Sequence, residues 1–214
     1  MANDDPDRAD MNENQSKIRL RKPAQEDAEA IVEAVQTSLA ELSVWMPWAR
    51  SDYDVESAKQ WIDGAFGDLH SFLMIEADGS IVGTCGINAH DALNQRANLG
   101  YWVRSDRTGR GYATHAARTV AKFGVENGLQ RLEIVVSTQN RASCLVAERI
   151  GAHYEGVARA RQCYTVSLTM LTSTVLHLPT SRSHLLAHWS HSVRVNKTKP
   201  PSQDGQDGRV EERR

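Results

Sequence analysis

Two glycines separate a predicted strand from a predicted helix within residues 100–114, and this arrangement could bind an anion. Gly109 and Gly111 let the backbone turn sharply and approach a ligand closely. The first N–H groups of the following helix have no partner within the helix, and they lie at the positive end of its dipole. A diphosphate would fit such a turn, but an ordinary strand-to-helix loop would look the same in the sequence. This segment alone leaves both interpretations open.

Composition and charge limit the classes of protein to which the chain can belong. Its 214 residues, 40% of them hydrophobic, suffice for one domain with a substantial core. A net charge of −2 without a dominant basic run argues against nucleic-acid binding. Three scattered cysteines, Cys85, Cys144 and Cys163, predict neither a disulfide framework nor a metal site, which favours a reducing cytoplasm. We expect no membrane contact, since there is neither a long apolar run nor a signal peptide.

Hydrophobic periodicity predicts the elements that would position the glycine turn. A strand begins at Ile18, and a helix with one apolar face covers residues 28–42. A second helix follows an N-cap at Asp54, and a turn at Asp78-Gly79 joins two further strands. A strand over residues 98–104 and a helix after the glycine turn follow. The last predicted elements are a strand over residues 131–137, a helix over residues 140–150 and a strand over residues 153–160. Helices mixed into a largely antiparallel sheet predict an α/β sandwich.

The two ends of the chain have compositions typical of disorder. Residues 1–16 are polar and acidic, and residues 179–214 are polar and contain prolines, glycines and charges. Such segments bury too little apolar surface to offset the entropy lost on ordering. The folded domain is therefore predicted over residues 17–178.

In their order along the chain, several motifs resemble those of the GNAT acyltransferase superfamily, and more narrowly its ribosomal-protein N-terminal acetyltransferase branch, the RimJ/RimL type. The resemblance covers about residues 18–162. Its motifs are Trp45-Met46-Pro47-Trp48, Gly83, Gly100-Tyr101-Trp102-Val103, Thr108-Gly109-Arg110-Gly111-Tyr112-Ala113, Arg131-Leu132-Glu133-Ile134, Asn140-Arg141-Ala142-Ser143, residues 146–152 and Glu155-Gly156-Val157. It implies the α/β GNAT fold, a mostly antiparallel mixed sheet of six or seven strands with about four helices, splayed between the fourth and fifth strands.

The same resemblance implies acetyl-CoA as donor and a primary amine as acceptor. In the family, the pantetheine arm pairs with the free edge of the fourth strand, here the backbone of Trp102, Val103 and Arg104. Asn140 resembles the residue that hydrogen-bonds this arm. The diphosphate binds the glycine turn, here Gly109, Arg110, Gly111, Tyr112, Ala113 and Thr114, with Arg107 or Arg110 as a further contact. Thr108 departs from the family, which usually has Gln or Arg there.

The resemblance also implies the catalytic groups. Glu133 matches a glutamate that acts as a base through a water in relatives that modify protein N-termini, although it could merely pair with a surface arginine. A tyrosine that protonates the leaving thiolate in many GNAT enzymes is replaced here by Ala147. In the ribosomal-protein branch, a serine at the position of Ser143 takes this role, and Asn140 and Ser143 could also serve only as helix caps. Direct transfer is implied, because no histidine is placed to activate Cys144.

An N-terminal α-amine is the acceptor that the chemistry favours. Its pKa of about 7.7–8.0 leaves a useful neutral fraction at pH 7, whereas lysine at about 10.4 leaves almost none. Trp45 and Trp48 could line a groove for a peptide's first residues or could belong to the core. A small-amine acetyltransferase and a catalytically impaired acyl-CoA-binding protein remain alternatives. No metal is expected, and the chain could be a monomer or a homodimer.

After Gln162 the sequence departs from the family. The expected ending contains a glycine, a His-Asp pair and a tyrosine, none of which appears in register in residues 163–176. Reading compatible codons from the third base of Cys163 gives L-Y-G-V-P-H-D-A-H-L-Y-S-L-T, which restores that ending. We therefore predict a frameshift near Gln162. Residues 164–178 are rich in Thr, Val and Leu and could still pair as a strand, with altered register.

Overall fold

Strands and helices follow one another in nearly the predicted order. The computed structural model describes residues 18–64, 70–76, 78–163 and 170–178. The strands are β1 (Ile18–Arg21), β2 (His70–Glu76), β3 (Ile81–Asp91), β4 (Arg96–Val103), β5 (Arg131–Ser137), β6 (His153–Cys163) and β7 (Met170–Leu178). The α-helices are α1 (Ala28–Thr37), α2 (Leu39–Trp45), α3 (Val55–Ile62), α4 (Tyr112–Glu126) and α5 (Arg141–Arg149), with short 3-10 turns at Gln25–Asp27 and Ser105–Arg107. Within these ranges, none of the helices is long and apolar enough to cross a bilayer.

The strands form one seven-stranded sheet in the spatial order β1-β2-β3-β4-β5-β7-β6. Neighbouring strands are antiparallel except β4 and β5, which run parallel. This parallel pairing is short, extending only from Arg96 opposite Arg131 to Asn98 opposite Glu133. β4 continues to Val103, while β5 pairs with β7 on its other side from Leu132 to Ser137. The predicted mixed sheet, splayed between its fourth and fifth strands, is confirmed.

Helices cover both faces of this sheet. On one face, α4 and α5 pack against buried residues such as Leu132 and Ile134. On the other face, α1, α2 and α3 pack against Leu73, Ile75 and Trp102. Because side chains alternate along a strand, β2, β3 and β4 each contribute to both cores. The result is a sheet enclosed between two layers of helices, as an α/β sandwich requires.

The helix predicted over residues 28–42 is interrupted at Ser38, so the described residues contain five α-helices where the resemblance implies about four. Ser38 is fully buried, and its hydroxyl oxygen accepts a hydrogen bond of 3.0 Å from the N–H of Ser105. A buried serine needs such a partner, and its side chain competes with regular helical hydrogen bonding. Apolar residues continue at helical spacing across the break, so the pattern alone predicts one helix.

The C-terminal strand lies in the middle of the sheet's last three strands. β7 pairs antiparallel with both β5 and β6, which agrees with the expectation that this segment can form a strand. Residues 164–169, and the tails 1–16 and 179–214 for which we predict disorder, lie outside the described residues. The frameshift near Gln162 stays a prediction.

Candidate active site

A gap opens where β4 and β5 part. The last residues paired between these strands are Asn98 and Glu133, and beyond them β4 runs on beside the gap. Asn98 bridges this narrow end, because its Oδ1 accepts a hydrogen bond of 3.3 Å from the N–H of Val135 in β5. Its Nδ2 donates to Oδ1 of Asn88 in β3 at 2.9 Å. The Asn98 side chain thus links three strands, although no sequence motif points to it.

The inner edge of β4 faces this gap. The Arg104 N–H donates to the Val82 carbonyl of β3 at 2.8 Å. N–H groups alternate between the two edges of an antiparallel strand, so Trp102 also directs its backbone to β3. By the same alternation, Tyr101 and Val103 direct theirs into the gap. Of the three residues predicted to contact a pantetheine arm, only Val103 presents its backbone there, and Tyr101 is an additional one.

The glycine turn lies beyond the wide end of the gap and has an open outer surface. Gly109 and Gly111 both have φ of +76°, a conformation that other residues rarely adopt. A Cβ added at either position would meet no atom within 4 Å, so space for a ligand exists above both. Gly111 caps α4 without a side chain, and the first turn of α4 contains no acidic residue. The N–H groups of Tyr112, Ala113 and Thr114 therefore lie at the positive end of a helix whose own first turn has no carboxylate.

Glu76, at the end of β2, forms ion pairs and a hydrogen bond with side chains of this turn. Its carboxylate lies 3.4 Å from Arg107 Nε and 3.3 Å from Arg110 Nη1. The buried Tyr112 hydroxyl donates to Glu76 Oε1 at 2.5 Å. Both arginines offered by the sequence as phosphate contacts are therefore ion-paired with one carboxylate. Thr108, at the position where the family usually has Gln or Arg, donates its hydroxyl to the Ser105 carbonyl at 3.1 Å.

The first turn of α5 meets Tyr101 across the gap. Asn140 is the predicted N-cap, and its Oδ1 accepts a hydrogen bond of 3.1 Å from the Ser143 N–H. The Ser143 hydroxyl donates to the Tyr101 oxygen at 3.2 Å, and the Tyr101 hydroxyl donates to the Ser143 carbonyl at 3.0 Å. Burial raises the pKa of Tyr101, so its phenol is neutral near pH 7. Burial likewise raises the pKa of the Cys144 thiol, which disfavours a reactive thiolate.

Glu133 is buried at the narrow end of the gap. Leu132 and Ile134 lie in the core that contains α4 and α5, so alternation places Glu133 on the opposite face, as predicted. Its side chain pairs with two guanidinium groups, Arg131 Nε at 2.9 Å and Arg96 Nη1 at 3.6 Å from Oε1. The pairing with arginine that the sequence offered as an alternative role is therefore present.

Aromatic rings cluster on the face of β4 opposite Tyr101. The Trp48 ring lies 6.0 Å from that of Trp102 and 5.7 Å from that of Tyr53, tilted by 55° to each. Trp102 is 9% exposed, whereas Trp48 is 40% exposed and so offers ring surface to a ligand. Trp45, at the end of α2, is half-buried. Of the two tryptophans predicted to line an acceptor groove, Trp48 is thus placed against Trp102 of β4.

Comparison with known proteins gives concordant matches. A profile described as Acetyltransferase (GNAT) domain matches residues 17–153. YdaF of Bacillus subtilis, provisionally named a ribosomal N-acetyltransferase, is 31% identical over 151 residues, which cover 66% of this chain and 80% of YdaF. A Vibrio cholerae structure, provisionally described as a ribosomal-protein-serine acetyltransferase, is 27% identical with a TM-score of 0.64, over 76% of this chain and 94% of that one.

Similarity of fold extends to more distant structures. RimL, described as a ribosomal L7/L12 alpha-N-protein acetyltransferase and solved with coenzyme A, has a TM-score of 0.69 at 18% identity. The match covers 77% of this chain and 94% of RimL. At this level of identity, the likeness shows the fold alone.

Proposed function

Because this chain belongs to the GNAT acetyltransferase family and is an N-acetyltransferase, we propose that it acetylates the N-terminal α-amine of a protein, such as a ribosomal protein, with acetyl-CoA as donor. The observation that carries the proposal is the gap between β4 and β5, with the open glycine turn beyond its wide end. The names of the relatives support a ribosomal protein as the acceptor.

The residues around the gap fit a coenzyme A thioester, which supplies the activated acetyl group. The turn at Gly109 and Gly111 offers backbone N–H groups and a helix N-terminus, which suit a diphosphate. The backbone of Val103 directs hydrogen-bonding groups into the gap, where they could pair with the amides of the pantetheine arm. Asn140 would bind the same arm through the amide nitrogen, because its Oδ1 already caps α5.

The acceptor would approach from the face that carries the aromatic cluster. The exposed ring of Trp48 beside Trp102 offers a flat apolar wall to the first side chains of a peptide, and Trp45 would extend it. Glu133 points to this same face of the sheet. An α-amine there needs only weak assistance to lose its proton, since its pKa is about 7.7–8.0.

In the proposed reaction the amine attacks the thioester directly. Glu133 accepts the amine proton through a water molecule, and Ser143 donates a hydrogen bond to the departing sulfur. These two groups lie on opposite faces of the sheet, so the amine and the thiol can occupy opposite sides of the carbonyl. Cys144 is not needed as a nucleophile, because its raised pKa keeps the thiol protonated.

The proposal can be tested with purified protein, acetyl-CoA and a panel of acceptors. We expect free thiol to be released with peptides that have a free N-terminus, and mass spectrometry to place the acetyl group on the α-amine. The matched control is the same peptide with a blocked N-terminus and a free lysine. Acetylation of polyamines, amino acids or antibiotics only would contradict the proposed acceptor. Saturable coenzyme A binding without turnover of any acceptor would indicate an impaired enzyme instead.

A further inference from the structure

Tyr101 holds Ser143 through two hydrogen bonds that join the two sides of the gap. The phenolic oxygen accepts the Ser143 hydroxyl proton at 3.2 Å, and the phenolic proton is donated to the Ser143 carbonyl at 3.0 Å. The Ser143 N–H is itself bound by Asn140. All three polar groups of Ser143 therefore have partners: the N–H binds Asn140, the cap of the same helix, whereas the carbonyl and the hydroxyl both bind Tyr101 of β4.

Without Tyr101, the hydroxyl of a helical serine can form a different hydrogen bond, to a backbone carbonyl of its own helix. Serine hydroxyls in helices commonly donate back to the carbonyl three or four residues earlier, here that of Asn140 or Gln139. That rotamer would direct the hydroxyl along the helix rather than across to β4. The bond to Tyr101 thus favours the orientation that faces the gap.

Tyr101 itself is poorly suited to donate a proton to a leaving group. Burial raises its pKa, so formation of a phenolate there is unfavourable. Its phenolic proton is also donated in a hydrogen bond to the Ser143 carbonyl. Tyr101 can accept a hydrogen bond and orient its neighbour, but it does not replace the tyrosine acid whose helical position is occupied by Ala147.

We propose that Tyr101 is a positioning residue that sets the direction of the Ser143 hydroxyl at the gap. This inference rests on the proposed role of Ser143 at the departing sulfur. The hydrogen bond between the two hydroxyls is neutral and 3.2 Å long, so it is weak enough for the Ser143 hydroxyl to give it up for another acceptor. A sulfur with developing negative charge is the stronger acceptor, and the serine proton turns toward it by rotation about one bond.

The test is a double-mutant cycle on kcat. Tyr101→Phe keeps the ring and removes both hydrogen bonds, and we expect kcat to fall about five-fold, the value of one neutral hydrogen bond. The KM for acetyl-CoA should stay within about two-fold, because binding depends on the backbone turn. When Ser143→Ala is already present, Tyr101→Phe should lower kcat no further, since its effect passes through the serine hydroxyl.

Tyr154→Phe is the matched control, since it removes the same hydroxyl from an exposed tyrosine of β6. It should change neither kcat nor the urea midpoint. If Tyr101→Phe does not fold, 3-fluorotyrosine at position 101 keeps the packing and weakens the oxygen as an acceptor, and a reduced kcat is again expected.

An unchanged kcat in Tyr101→Phe would overturn the inference. So would equal losses from Tyr101→Phe with and without Ser143→Ala, because Tyr101 would then act independently of the serine. If the wild-type protein is active, either result overturns only this inference, and the proposed function is unaffected. A wild type that binds coenzyme A but acetylates no acceptor overturns the proposed function and, with it, this inference.

Discussion

Glu133→Gln separates the structural role of this buried carboxylate from its proposed role as a base. The variant keeps a side-chain oxygen that can accept a hydrogen bond from Arg131. It also leaves each arginine with a second carboxylate, because Arg131 donates to Glu155 at 2.7 Å and Arg96 to Asp91 at 3.0 Å. The lost ion pairing should therefore cost only about 0.5–1.5 kcal/mol in the free energy of unfolding, measured by urea denaturation.

The expected effect of Glu133→Gln on the rate is much larger. Removal of a general base commonly costs about 10²-fold or more, and we expect kcat/KM for an α-amine peptide to fall by about 10²-fold, or about 2.7 kcal/mol. The loss should shrink as the pH rises above about 8, because the amine is then deprotonated without assistance. The assay is release of free thiol at pH 7 and pH 9 with saturating acetyl-CoA.

Glu155→Gln is the control, since it removes the other carboxylate partner of Arg131 outside the gap. It should lower stability by a similar amount and leave kcat/KM within about two-fold, as expected for a partly exposed ion pair. A loss below about three-fold in Glu133→Gln, or equal losses in both variants, would show that Glu133 acts only through its arginines. A loss that does not depend on pH would also refute a role as base.

Further predictions concern the fold and the gene. Glu76→Gln should lower the free energy of unfolding by about 1–2 kcal/mol in urea, because the hydrogen bond from the buried Tyr112 loses a charged acceptor; an unchanged midpoint would contradict this. The hydrogen bond from Arg21 lowers the pKa of Asp27, so its stabilisation is present above about pH 4 and is lost as the pH falls through the folded-state pKa. Asp27→Asn should therefore flatten the decline of stability between about pH 4 and pH 2, and an equally steep decline would count against the ion pair. Resequencing the gene around Gln162 should reveal a length change relative to close relatives, and identical lengths would refute the frameshift.

Features with local causes could be predicted from the sequence. The sequence predicts Asn140 as the cap of the helix that follows it, and its side chain accepts a hydrogen bond from Ser143, only three residues away. The alternation around Glu133 was predicted for a similar reason, since strand periodicity depends on neighbouring residues. The glycine turn followed from the residue types alone, because both glycines adopt positive φ.

Features with distant causes could not be predicted in this way. The helix is interrupted at Ser38, whose hydroxyl contacts Ser105, 67 positions further along the chain. Tyr101 and Ser143 are 42 positions apart and meet only because the fold brings β4 and α5 together. Local propensity and periodicity do not record such contacts, and the family resemblance implies a role for Ser143 without indicating its partner.

The contacts around the gap also explain how a protein can keep two strands apart. Separated strands leave backbone N–H and C=O groups that would otherwise pair, which is unfavourable when they are buried. Asn98 reduces this cost at the narrow end, where its side chain takes the place of the next backbone partner of Val135. Further along β4, the bonds between Tyr101 and Ser143 connect the strand to α5 in place of β5. The backbone of Val103 is left facing the gap, so an extended ligand with amide groups could pair there as an added strand would. The same unpaired edge that would weaken an ordinary sheet thus leaves backbone groups for the pantetheine arm of the proposed donor.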